Sequence, residues 1–215
     1  MPGQAPRYAP RPRPVPARSA WRTVWLEPRR TVHQVLRGDA AGFVILMAWL
    51  AGVLEVLQTQ ALRSSMRPHW GPFAVFIAVF MGPLVGFAYF ETAGAVAKGV
   101  GRMLGGVGDV SDTRVALACG TMPELLALPF WAPVLAVYGL EMFTTARPPR
   151  TDGVLIFAAL QILLWLWALG LRVVCLAEVH EFSIPRALLT VVLSWVAGIG
   201  LVIALVAVLA GMAGS

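Results

Sequence analysis

The sequence predicts an all-α, polytopic integral membrane protein: five transmembrane helices in a compact bundle. Three observations predict it. The 215 residues are 58% apolar and only 13% charged, with a mean hydropathy of +0.74, far from the balance of a water-soluble domain. Five long stretches carry one charge or none. At 1.5 Å of helical rise per residue, about 20 residues cross a hydrocarbon layer roughly 30 Å thick. None of the five alternates polar and apolar residues as an outer-membrane strand does, so each reads as a helix.

The chain opens with "MPGQAPRYAPRPRPVPARSA", residues 1–20, a Pro/Arg-rich tail that cannot bury enough apolar area to fold. It is basic and poor in acids, as a transit peptide is, but its dense prolines oppose an amphipathic targeting helix. Residues 21–40 read as an amphipathic juxtamembrane segment. Pro28 suits a first helical turn, Val32, Val35 and Leu36 share a face, and Trp21, Trp25 and Leu26 lie just upstream. The segment is expected to lie on the inner leaflet, or else to be a basic linker without fixed shape. In the first arrangement Trp21 and Trp25 meet headgroups and Arg29 and Arg30 meet phosphate.

The membrane domain, residues 41–211, divides into spans at about 41–60, 72–97, 115–140, 153–176 and 187–211. Cys119 and Cys175 fall in or beside spans without a CxxC spacing, and read as small apolar core residues.

Basic residues fix the expected orientation. Arg7, Arg11, Arg13, Arg18, Arg22, Arg29, Arg30 and Arg37 precede the first span. Lys98, Arg102 and Arg114 lie between the second and third, and Arg172 and Arg186 flank the connection from fourth to fifth. That is thirteen on one side against Arg63, Arg67, Arg147 and Arg150 on the other. The bias places the N-terminus in the cytoplasm and the C-terminus across a cell inner membrane. The net charge of +6 is therefore a topology and lipid signal. A nucleic-acid partner is not expected, because the tail interleaves only Tyr8 among its bases.

"YFETAGAVAKGVGRMLGGVGD", residues 89–109, poses the sharpest local question. Lys98 precedes the glycines and no Gly-Lys-Ser/Thr follows, so this is no phosphate-binding P-loop. Gly99-x-Gly101 leads to Leu104 where a dinucleotide fingerprint needs glycine. A membrane helix ending near Ala97 is expected instead. Lys98, Arg102 and Arg114 then reach lipid phosphates, and Asp109, Ser111 or Asp112 caps the next helix.

Three carboxylates stand inside the spans. Glu91 is about 9 Å from the inner end of its helix and Glu124 about 14 Å into the third. Glu55 lies near the outer end of the first span, and Gln161 in the outer half of the fourth. Such groups must face the bundle interior or water. They form either a polar path for a proton or ion, or a set of neutral cross-links, with Lys98 in reach of Glu91. The third span adds Pro123, Pro129 and Pro133 to one helix, and Gly82 with Gly86 offers a small-xxx-small face.

No metal, cofactor or catalytic residue is expected. "HEFSI" at His180 lacks the second histidine of HExxH, and no nucleophile pairs with a base. Two function classes remain: a membrane-organising or partner-binding protein, with membrane lipids and a membrane-protein partner or a homo-oligomer as its expected contacts, and a small channel or ion-coupled transporter using the carboxylates.

Three segments carry a family resemblance: "WLEPRRTVHQVLRG" before the first span, "GRMLGGVGDVSDTRVALACGTMP" leading into the third, and "HEFSIPRALLTVV" leading into the fifth. Their order and spacing resemble the Ypt-interacting protein (Yip) domain family over about residues 21–210. The resemblance implies five spans and a cytoplasmic N-terminus. Eukaryotic relatives engage Rab-type small GTPases and assist vesicle formation. The short Arg/Pro-rich tail is more similar to bacterial members, whose role is undefined. The resemblance assigns no GTPase contact to Arg29 or Arg30 and names no catalytic residue.

Overall fold

The computed structural model describes residues 17–64, 73–139 and 152–213, all helices and the turns between them. The tail up to residue 16 lies outside that range, as do His69, Arg67, Arg147 and Arg150. Eight helices are described: α1 (Ala17–Thr23), α2 (Pro28–Arg37), α3 (Ala40–Ser64), α4 (Ala74–Met103), α5 (Val110–Leu125), α6 (Ala127–Tyr138), α7 (Asp152–Val179) and α8 (Ile184–Ala213). Taking α5 and α6 as one crossing, five helical segments are long and apolar enough to span a membrane. They pack as one bundle, α3 on α4 and α5 on α7, with α8 at the edge against α4 and α7. Its outer surface carries large apolar side chains such as Leu163, Leu166, Val202, Ile203 and Leu205. This is a multi-pass membrane fold, with hydrocarbon the solvent that such a surface suits.

Glycines set the closest helix contact. A Cβ on Gly52 of α3 would stand 1.8 Å from the Gly82 carbonyl oxygen, and one on Gly86 of α4 would stand 1.8 Å from that of Ala48. The small-xxx-small face of α4 thus meets α3 backbone to backbone, where dispersion over a long seam replaces the missing hydrophobic drive.

Two expectations need correction. The second span does not stop near Ala97: helix α4 continues through Lys98 and Arg102 to Met103. There Gly105, at φ +86, turns the chain, and the Gly106 N–H closes on the Gly101 carbonyl at 2.8 Å. That left-handed turn is where glycine is required. The third span is not one helix either. It breaks at Leu126, because Pro129 has no N–H to offer the Leu125 carbonyl one turn earlier.

The N-terminal segment folds as a helical hairpin against the bundle. Val24, Thr31 and Val32 are fully buried, and α2 lies on α5 and α7. Its apolar face therefore meets protein. Hydroxyls of Thr23 and Thr31 join the two short helices at 2.7 Å, and Trp25 meets Trp21 and Trp167 edge-on.

Candidate functional site

Polar side chains gather at two places: the end of the bundle that carries α2, and a cavity within the membrane layer.

At the α2 end, ion pairs fasten neighbouring elements. Glu178, near the end of α7, accepts from His33 at 2.7 Å and lies 3.6 Å from Arg29. Lys98 pairs with Asp109 at 2.6 Å, and Arg114 pairs with Glu91. The anticipated Lys98–Glu91 contact does not form; each of these residues has another partner. Asp109 is the N-cap of α5, and its own N–H is held by Asp112 at 3.0 Å. The hydrogen bond from Lys98 holds the Asp109 carboxyl below its ordinary range, helped by the Val110 N–H. The Thr113 hydroxyl, fully buried, donates to the Gly94 carbonyl at 3.0 Å and so joins α5 to α4.

The glycine-rich loop has a structural purpose that sequence reasoning missed. It is a socket for His180. A Cβ on Gly101, Gly106 or Gly108 would stand 2.4, 2.6 or 2.9 Å from atoms of the His180 ring or, for Gly108, 2.8 Å from the Val179 carbonyl. Phe182 stacks on the His180 ring, with centroids 5.3 Å apart, and also reaches Gly106. His180 and Phe182 are presented by a tight turn in which Glu181 adopts φ 56 and the Phe182 N–H bonds the Ala177 carbonyl at 2.7 Å. Burial lowers the His180 pKa below the ordinary imidazole value, against upward pulls from the Ala97 backbone and Asp112. No local signal links His180 to glycines more than 70 residues earlier; only the fold joins them.

Within the bundle, residues of α3 to α8 line a partly open cavity of about 700 Å³. Three of the four polar residues singled out within the spans, Glu55, Glu124 and Gln161, line it, while Glu91 stands apart with Arg114. Two residues missed in the sequence pair with them. Gln58 donates to Gln161, and Arg172 donates to Glu124 at 2.8 Å and to the Thr121 hydroxyl at 3.4 Å. Arg172 is only 7% exposed. Counting it with the residues that flank a loop was the error: it is the one basic residue inside the five spans drawn from sequence, and that was the available signal. Gly120 makes its approach possible, since a Cβ there would stand 2.3 Å from Arg172 Cγ. Glu55 receives only the Thr59 hydroxyl, at 3.3 Å, and pairs with no cation among the described residues.

The residues expected at lipid headgroups are distributed unevenly. Arg29, Arg30 and Arg102 are exposed. Trp21 and Trp25 are half-buried, as are the ion-paired Lys98 and Arg114. Among the described residues no group of three His, Cys, Asp or Glu side chains could hold a metal ion.

Fold and polar sites together define a five-span helical membrane protein with an interior cavity and an ion-paired end. Within that class the chain belongs to the Yip1 domain family, whose profile matches residues 22–206. The match begins just before the α1–α2 turn and runs through most of α8. No curated protein and no solved structure matches the chain.

Proposed function

We propose that this Yip1 domain protein acts as a membrane-organising or partner-binding protein of the cell inner membrane, bacterial in type. Its α2 end faces the cytoplasm and its C-terminus the opposite side. The basic asymmetry of the chain supports that orientation, and the Pro/Arg-rich tail supports the bacterial assignment.

One observation carries the reading. At the α2 end, exposed apolar tips stand among exposed arginines: Leu26 at 87% and Met103 at 86% exposure, beside Arg29, Arg30, Arg37 and Arg102. The elements beneath them are fixed to each other by Glu178 with Arg29 and His33, and by Lys98 with Asp109. A rigid basic surface with apolar points suits anionic headgroups and a cytoplasmic partner. Trp21, Trp25, Lys98 and Arg114 sit at its margin and complete the headgroup contacts.

The second reading, a small channel or ion-coupled carrier, draws on the cavity. It fits less well, because Glu124 is held by Arg172 and Glu91 lies outside the cavity, so no row of carboxylates leads from the α2 end.

The test is affinity purification of a C-terminally tagged chain from native membranes under mild solubilisation, with mass spectrometry of stoichiometric co-purifying proteins. A dominant partner lost on Arg30→Glu with Arg102→Glu supports the reading. A clean monomer or homo-oligomer, together with an ion flux abolished by Glu124→Gln, overturns it in favour of the carrier.

A further inference from the structure

We propose that the cavity binds the primary ammonium group of an amphiphilic amine. Three side chains that carry charge line it, Glu55, Glu124 and Arg172. In their ionised forms Arg172 cancels Glu124 through the 2.8 Å pair, and one negative charge, that of Glu55, is left over. Glu55 is exposed, near the outer end of its span and without a cation partner among the described residues, so the cavity offers its unpaired charge to a monovalent cation.

The chemistry of the walls narrows that cation. Gln58 uses its amide N–H toward Gln161, which leaves the Gln58 carbonyl oxygen as an acceptor. Glu124 Oε1 is buried with no hydrogen-bond partner, a second unmet acceptor. With the Glu55 carboxylate these make three acceptors around one cavity, the number of N–H donors on a primary ammonium. A quaternary ammonium would leave all three unanswered. Trp165 and Trp195 stack at 5.8 Å along the wall, and Tyr89 adds a third ring, faces that favour an organic cation. Apart from Thr121, the rest of the wall is aliphatic or glycine, suited to a hydrocarbon chain. A volume of about 700 Å³ is in the range of small-molecule sites.

The shared chemistry, an ammonium on a hydrocarbon body, has two sources: the headgroup amine of a membrane lipid, or a free amphiphilic amine. The experiment separates them. The full chain is placed in phosphatidylcholine nanodiscs, whose headgroups carry no N–H, and its melting temperature is followed against dodecylamine and dodecyltrimethylammonium. Dodecylamine is expected to raise the melting temperature saturably and the quaternary analogue to act far more weakly. Glu55→Gln is expected to weaken dodecylamine by about tenfold, as loss of the charge partner of a bound ammonium does. Should that variant fail to fold, Gln161→Leu, which frees Gln58 from its partner, takes its place and is also expected to weaken binding.

Discs containing phosphatidylethanolamine then assign the source. If they raise the melting temperature of the wild type alone and compete with dodecylamine, the ligand is a lipid headgroup; if they change nothing while dodecylamine binds, it is a free amine. Absence of a saturable dodecylamine shift, or an equal shift in the variant that folds, overturns the proposal. Partner capture at the α2 end is independent of either result.

Discussion

The third membrane span and the fifth are built on opposite terms. The third, α5 with α6, is the least hydropathic of the five, and 67% of its apolar window is buried. The fifth, α8, is the most hydropathic, and only 6% of its window is buried. In water this ordering would be reversed. In lipid the hydrocarbon outside is as apolar as leucine, so apolar side chains gain little by turning inward. Small and polar residues have the reason to be inside: Gly120, Thr113, Thr121 and Glu124 all sit on α5 and all find partners or close backbone there. Helix α8 offers the bundle its first half, where Ala187, Thr190 and Val191 are buried and Trp195 stacks on Trp165; from Ile199 to Met212 every residue is exposed.

Removing the reason for burial should break that contrast most. Arg172→Met leaves Glu124 buried without its cation, at a cost of about 3–5 kcal/mol. Adding Glu124→Leu to the same chain removes both charges and should recover most of the loss. Unfolding of the single and double variants in micelles measures this. Equal destabilisation in both would mean that the pair is incidental and packing alone holds the third span.

Close packing comes next. Gly86→Ala must push α4 away from the Ala48 carbonyl, for about 1–3 kcal/mol. Gly198→Ala on α8 meets nothing within 4 Å and should stay within about 0.5 kcal/mol of wild type. Both are Gly-to-Ala changes inside apolar helices, so similar effects would show that helix propensity dominates and the α3–α4 seam does not.

Sequence reading reached the parts of this molecule that are local. Hydropathy and length located five spans, Pro28 opened α2, and Asp109, one of three candidate caps, caps α5. Pairing was not local. Arg114 with Glu91 and Arg172 with Glu124 join residues 23 and 48 positions apart, and a positive-inside count treats each arginine as a loop charge. Gln58 was invisible for a different reason: it lies three residues beyond Glu55 in a span whose polar content was judged by charge alone. Counting uncharged hydrogen-bonding groups would have found it. The glycine loop was legible as backbone and illegible as a socket, since nothing near it names His180.

The smallest effect concerns how the fifth span is attached. Because α8 is buried only in its first half, the plug formed by His180 and Phe182 just before it adds to its anchorage on α4 and α7. Burial lowers the folded-state pKa of His180, so the fold favours the neutral ring. The stabilisation is complete above the ordinary value of 6.5 and declines as pH falls through that value toward the folded one. Acidification from about pH 7.5 to about 5.5 should therefore loosen the socket, with hydrogen exchange, corrected for intrinsic rates, rising over residues 180–191. Residues 113–123 of α5, held by burial and by no titrating histidine, should change little. His180→Leu should remove the pH response in α8. A response that persists in the variant, or that spreads equally through α5, would place the weak point of the fifth span away from its plug.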